Sequence, residues 1–249
     1  MIYKFSNLVF ISIIFLSSVH GQTPPYYHYT TSDGLASSTI FDIMQDREGF
    51  IWFATLNGLS KFDGKKITSY GIKDGLSSDI VTCLVQGENG EIYIGNNETG
   101  MNVLKNGKIE NYRTLIAGGR FNTRQLIESR GMIYSFMATT IIAIKKNDSN
   151  AKSDYVMSTS PIFINRLAKL PGDKLIVLTT RGLYSLKNKE LLKLNITGLP
   201  DADFLCLASC NDGTYFVGSK GIIYQIKNDR VIRKISVDSY NKQNVSLIL

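Results

Sequence analysis

The chain has 249 residues, 43% of them hydrophobic and 20% charged, with a formal charge of +7; this suits one large all-β domain or two small ones and excludes a disordered chain. The Lys and Arg residues are scattered, over Lys73, Lys105, Lys108, Arg113, Arg120 and Arg124 among others, and the compact pairs Lys65-Lys66 and Lys145-Lys146 sit beside turns, so the charge reads as a solvated surface and not as a nucleic-acid interface. Cys83, Cys206 and Cys210 are an odd count, which excludes a disulfide framework.

Residues 1–21 read as an export signal. Lys4 supplies a positive charge, residues 8–16 are an apolar run, and small residues lead to a cut after Gly21 that leaves Gln22 first. The run is too short for a membrane span of about 20 residues. An uncleaved anchor is the alternative. No Cys follows to accept a lipid, and no later stretch is long and apolar enough to span a bilayer. The exported, water-facing domain therefore runs over residues 22–249.

Residues 26–30, "YYHYT", have the pattern of the last strand of a repeat unit, ahead of a first Asp-Gly-Leu at 33–35. That tripeptide returns at 74–76, 41 residues on, and the same step relates Gly49 to Gly90 and Trp52 to Tyr93. Within the first unit, residues 40–44, 50–55, 59–62 and 67–70 read as strands rich in aromatic and β-branched residues, separated by "REG", "LNG" and "DGK". Asn-Gly and Asp-Gly supply the positive φ of tight hairpin turns. Weaker copies place Tyr134, Ile176 and Phe216 at the position of Trp52, and residues 122–131 become the first strand of a third unit instead of a helix. Four strands about every 41 residues is the period of a β-propeller blade. Five units fit between residues 33 and 249, with a sixth begun at "NKQNVSLIL" (241–249). A propeller hides its edges by closing, so the expectation is an incomplete ring, the N-terminal part of a longer protein or the product of a truncated gene. In that case residues 22–249 alone aggregate or unfold readily.

The residues offer little catalytic chemistry. His28, the one histidine beyond residue 21, has no nucleophile motif near it and reads as structural. No His/Cys/Asp/Glu grouping has metal-ligand spacing, and "DREGF" and "NDGTY" lack the alternating carboxylates of a calcium loop. Gly118-Gly119 is an inter-blade connection more readily than a phosphate cradle. Carboxylate pairs for glycan hydrolysis are sought among Asp42, Asp46 and Glu48, and at Asp201 with Asp203; Asp46 reads as the cap of the turn before the Trp52 strand. Trp52, Tyr93, Tyr134 and Phe216 read as inter-blade packing, leaving Phe121 and Tyr155 as looser candidates for stacking on a ligand. Cys206 and Cys210, about 13 Å apart on an extended strand, are beyond disulfide reach, and the cysteines read as buried thiols.

The first unit resembles the two-component regulator propeller repeat. It carries Asp33-Gly34-Leu35, Ile43, Gln45-Asp46, Gly49, Ile51-Trp52, Thr55, Gly58-Leu59 and Phe62-Asp63-Gly64. The second unit keeps Asp74-Gly75-Leu76, Gln86, Gly90, Ile92, Gly95 and Gly107 but has Tyr93 for the Trp and Gly87 for the Asp, while later units keep mainly a strand and Gly182 or Gly221. The resemblance implies the periplasmic, ligand-sensing input region of a Bacteroidetes-type hybrid sensor histidine kinase. It further implies a small-molecule or glycan-fragment ligand, a homodimer in the longer protein, attachment to the membrane through a segment beyond residue 249, and no cofactor or metal. The alternatives are a stand-alone secreted binding or scaffold propeller and, third, a propeller lyase or glycosidase. On this reading the chain itself is not an enzyme, and its ligand-binding residues stay unassigned.

Overall fold

The computed structural model describes residues 26–97, 100–112, 122–145 and 155–236. The export signal, Gly118-Gly119, Phe121, Lys146 and the unit begun at 241–249 lie outside them, as does the side chain of Tyr155. The described residues form twenty strands in five antiparallel sheets, each of four strands joined in sequence order. The first sheet holds β1 (Ile40–Gln45), β2 (Ile51–Thr55), β3 (Gly58–Phe62) and β4 (Ile67–Tyr70). The second holds β5 (Val81–Gln86), β6 (Ile92–Asn96), β7 (Met101–Lys105) and β8 (Lys108–Tyr112), and the third β9 (Leu126–Ser129), β10 (Met132–Met137), β11 (Thr140–Lys145) and β12 (Tyr155–Ser158). The fourth holds β13 (Ile164–Leu170), β14 (Lys174–Thr179), β15 (Gly182–Lys187) and β16 (Glu190–Lys193), and the fifth β17 (Cys206–Ser209), β18 (Tyr215–Ser219), β19 (Ile222–Lys227) and β20 (Arg230–Ser236). These are blades of a β-propeller.

The repeat alignment is also the register. Met44 faces Trp52, Val85 faces Tyr93, Ile127 faces Tyr134, Ala168 faces Ile176 and Ala208 faces Phe216, each pair joining the first two strands of its blade. Because side chains alternate across a strand, this position points Trp52, Tyr93, Tyr134 and Ile176 toward the following blade. Trp52, Ala54 and Leu59 pack against Leu84, Ile92, Ile94 and Leu104 of the second sheet. Tyr93 and Met101 pack against Leu126, Ile133 and Ile142 of the third. Phe136 and Ile141 pack against Leu167, Leu175 and Val177, and Ile176, Leu178 and Leu183 against Phe204, Val217 and Tyr224. No such cluster joins the fifth sheet to the first among the described residues, so Ile43 on β1 stays 60% exposed and Phe41 49% exposed.

The connectors repeat too. Thr31–Asp33 and Ile72–Asp74 are single 3-10 turns ended by Gly34 (φ 104°) and Gly75 (φ 109°). The Asp33 carboxylate accepts the Thr30 N–H and hydroxyl, and that of Asp74 accepts the Gly71 N–H. Leu76, which follows the second turn, is buried between the first two blades.

Residues 26–30 belong to none of the five ladders, and the last blade they were expected to complete is not among the described residues; Tyr26 and Tyr27 are exposed, while the Tyr29 ring lies 5.0 Å from that of Phe62. Two expectations are corrected. His28 is exposed on this segment and has no place in the core. Cys210 is exposed beyond the end of β17, whereas Cys83 and Cys206 are buried, and none of the three forms a disulfide.

Candidate functional site: a funnel at the axis

Each blade contributes its first strand, or the residue just before it, to a central funnel of about 430 Å³. The contributors are Phe41 and Asp42, Thr82 to Leu84, Arg124 to Leu126 with Phe136, Asn165 and Arg166, and Leu205. These residues are equivalent in register: Asp42, Cys83, Arg166 and Cys206 lie opposite Ala54, Gly95, Leu178 and Gly218 of their own second strands.

The first strand of each sheet has one edge turned to the axis, where its backbone groups lack a neighbouring strand. Such groups need partners when buried, and side chains of the preceding blade provide them. Asp42 accepts the Leu84 N–H at 2.8 Å. The Thr82 hydroxyl donates to the Thr123 carbonyl at 2.6 Å. Gln125 donates to the Leu167 carbonyl and accepts the Leu167 N–H, both at 2.9 Å. Asn165 donates to the Phe204 carbonyl at 2.8 Å and to the Asp203 carboxylate at 2.6 Å. Four successive blade junctions are thus tied at the axis by side chain to backbone bonds spanning 39 to 42 residues of sequence.

The electrostatics are uneven. Asp42 is the one carboxylate among the residues lining the funnel, and Arg124 and Arg166 are its two cations. Burial raises the Asp42 carboxyl above its ordinary value, against the opposing pull of the Leu84 and Ile43 N–H groups and the Arg166 charge. Burial also pushes the Cys83 thiol up to about 12, which keeps it protonated and inert at neutral pH.

Two smaller clefts, of about 330 and 230 Å³, open between the first and second and the third and fourth blades. They use corresponding residues (Trp52, Ile92, Leu104 and Asn106 in one, Tyr134, Leu175, Leu186 and Asn188 in the other) and follow from the splay of adjacent blades.

Four of the five carboxylates considered for hydrolysis are engaged one by one, while Glu48 lines the cleft between the first two blades beside Asp46 and the buried Glu91. Asp42 is held at the axis. Asp46 accepts the N–H groups of Glu48 and Phe50 through one oxygen and the Trp52 indole N–H, at 2.7 Å, through the other. Asp201 pairs with Lys193 at 2.6 Å and Asp203 accepts Asn165. Trp52 is 3% exposed and packs against the second blade. Gln125, Asn165 and Arg166 were not singled out by sequence; their shared signal is position, at or beside the point of each unit where Asp42 stands in the first.

Residues 34–57, which span β1, β2 and the start of the turn into β3, match the family model of the two component regulator propeller. The first blade carries this repeat. The protein of Formosa agariphila named histidine kinase P4 is 33% identical over 66 residues, which are 26% of this chain and 5% of that protein. The fold is similar to the extracellular domain assigned to a one component system of B. thetaiotaomicron, with a TM-score of 0.55 and 15% identity over 83% of this chain and 34% of that one. It is also similar to a second such domain of B. thetaiotaomicron, assigned to a hybrid two component system (TM-score 0.53, 16% identity, 88% of this chain and 38% of that one). A virginiamycin B lyase from Staphylococcus aureus aligns with a TM-score of 0.66 and 14% identity over 82% of this chain and 71% of that enzyme. At these identities the likeness is one of fold. The chain spans 5% of the curated relative and about a third of the two extracellular domains.

Proposed function

We propose that this chain is the exported input propeller of a two-component sensor, binding a small molecule or glycan fragment in the axial funnel. The observation that carries the reading is the regulator-propeller match on the first blade, which lies in a chain that shares 33% identity over 66 residues with a histidine kinase. The geometry supports it. Five blades meet at one funnel through side chain to backbone bonds, so an occupant touches every junction at once. A shift between blades then becomes a shift in the arrangement of a homodimer, read by a membrane helix and kinase outside this sequence. On this reading the propeller binds and does not catalyse; the funnel holds a single carboxylate, Asp42, committed to the Leu84 N–H, which favours that over the lyase or glycosidase alternative.

Fractionation of native cells, probed with an antibody raised against residues 26–236, tests the assignment. A membrane-bound band well above the 27.8 kDa of this chain is the expected result. A soluble periplasmic or secreted band at the chain's own mass refutes it in favour of a free binding or scaffold propeller.

A further inference from the structure

The polar residues of the funnel divide into two groups. Asp42, Thr82, Gln125 and Asn165 are all committed to the backbone of the next blade. The guanidinium groups of Arg124 and Arg166 make no hydrogen bond or ion pair with any described residue, yet both line the cavity, Arg166 half-buried and Arg124 exposed at its wall. At the same register positions the other blades place Phe41, Thr82 and Leu205, or Asp42, Cys83 and Cys206. The cations are therefore specific to the third and fourth blades and are not needed by the repeat. An arginine with no hydrogen-bond or ion-pair partner among the described residues keeps its full charge, since it does not deprotonate; Arg166 feels the Asp42 carboxylate across the funnel, and a cleft with apolar walls strengthens the field of both cations. Here the walls include Leu84, Leu126 and Phe136, all buried.

We propose that the funnel takes a ligand bearing an oxyanion, a carboxylate or a sulfate, with Arg166 and Arg124 as its counter-ions. A guanidinium presents paired N–H donors that fit either group, and a volume of about 430 Å³ holds a small-molecule body beside the charged head. Asp42 sets a limit on the other side of the same cavity, disfavouring a second anionic group placed near the first blade. The inference rests on the funnel being the binding site of the proposed sensor.

The test is a calorimetric titration of the native protein that carries this chain, purified from its own cells, with malonate, sulfate and neutral malonamide at constant ionic strength. Saturable binding of malonate or sulfate, with none of malonamide, is expected, and the anion that binds tells the carboxylate source from the sulfate source. Arg166→Gln weakens that binding about tenfold or more, the scale of one lost charge-assisted contact, and Arg166→Lys restores part of it. A thermal melt of each variant confirms folding. Absence of saturable binding by either anion, equal binding of malonamide, or anion binding that survives Arg124→Gln and Arg166→Gln together overturns the proposal. None of these outcomes alters the fractionation result, so the charge preference and the sensor assignment fail separately.

Discussion

Asp46 closes the turn before β2 and also fixes the aromatic residue that follows. Its two oxygens hold the Glu48 and Phe50 N–H groups and the Trp52 indole. The second blade solves the same problem differently. Gly87 occupies the turn position of Asp46, with the same backbone bonds to Glu91 and Gly90 that Asp46 makes to Phe50 and Gly49. The carboxylate instead comes from Glu91, buried and accepting the Tyr93 hydroxyl at 3.2 Å. A side chain at Gly87 would meet that carboxyl group at 2.7 Å, so the two arrangements exclude each other. The role of Asp46 was legible in sequence because a short acidic side chain before a turn has one obvious use. Glu91 was not, because the compensating group sits at a different position of the repeat. Asp46→Ala is expected to cost about 1–3 kcal/mol, since it leaves a buried indole N–H and turn amides without acceptors, and Asp46→Asn distinctly less; urea unfolding of the two variants measures this. Asp42 gives a prediction of opposite character. Its folded pKa is raised, so the folded state holds the proton more tightly than the unfolded state, and stability from this group falls as pH rises from the ordinary carboxylate range through the folded value. Asp42→Asn keeps an acceptor for Leu84, so it is expected to be at least as stable as the parent at pH 7. The advantage should vanish as pH falls below the ordinary carboxylate range, a trend that melting curves across pH follow directly.

At the scale of the element, the glycines of the first unit mark strand ends, as their spacing indicated. Gly58 opens β3 at φ 127°, and a Cβ there would collide with the Tyr70 carbonyl of β4. Thr55 ties the same turn by donating its hydroxyl to the Gly58 carbonyl at 2.8 Å, and Thr179 repeats that bond to Gly182 in the fourth blade. Gly64 also has a left-handed φ, 92°, but faces open space. Gly58→Ala should therefore destabilise by more than about 2 kcal/mol, through strain combined with displacement of β4, and Gly64→Ala by about 1 kcal/mol from strain alone. Equal losses in denaturant unfolding would contradict the steric argument. The last hairpins of later blades were harder to read. Asn106-Gly107 has the expected turn chemistry, but Asn188-Lys189 and Asn228-Asp229 take the same pair of positive φ angles without glycine. Asn and Asp tolerate that region through local hydrogen bonding, whereas Lys189 is carried there by the hairpin around it. The segment 26–30 has the alternation of a strand but no partner among the described sheets, and pattern alone does not supply the neighbour a ladder requires.

For the whole molecule, the period of about 41 residues carried most of the architecture, because each blade repeats both its turn chemistry and its interblade face. The funnel was not legible in the same way. Arg124 and Arg166 are 42 residues apart, about one repeat, and each reads singly as surface charge; only the stacking of blades around an axis brings them to one cavity. The same stacking determines which backbone groups need help. The Leu84 and Leu167 N–H groups point to the axis from first strands, away from their own ladders, and are held by Asp42 and Gln125 of the preceding blades. In an isolated blade both amides belong to an open sheet edge and exchange freely. Residue-resolved hydrogen exchange of these two amides is therefore the most direct measurement of the central claim, that successive blades are joined side chain to backbone around a common funnel. Strong protection of both in the parent chain is predicted, with selective loss at Leu84 in Asp42→Ala and at Leu167 in Gln125→Ala. Rapid exchange at both in the folded parent, or protection indifferent to those substitutions, would contradict it.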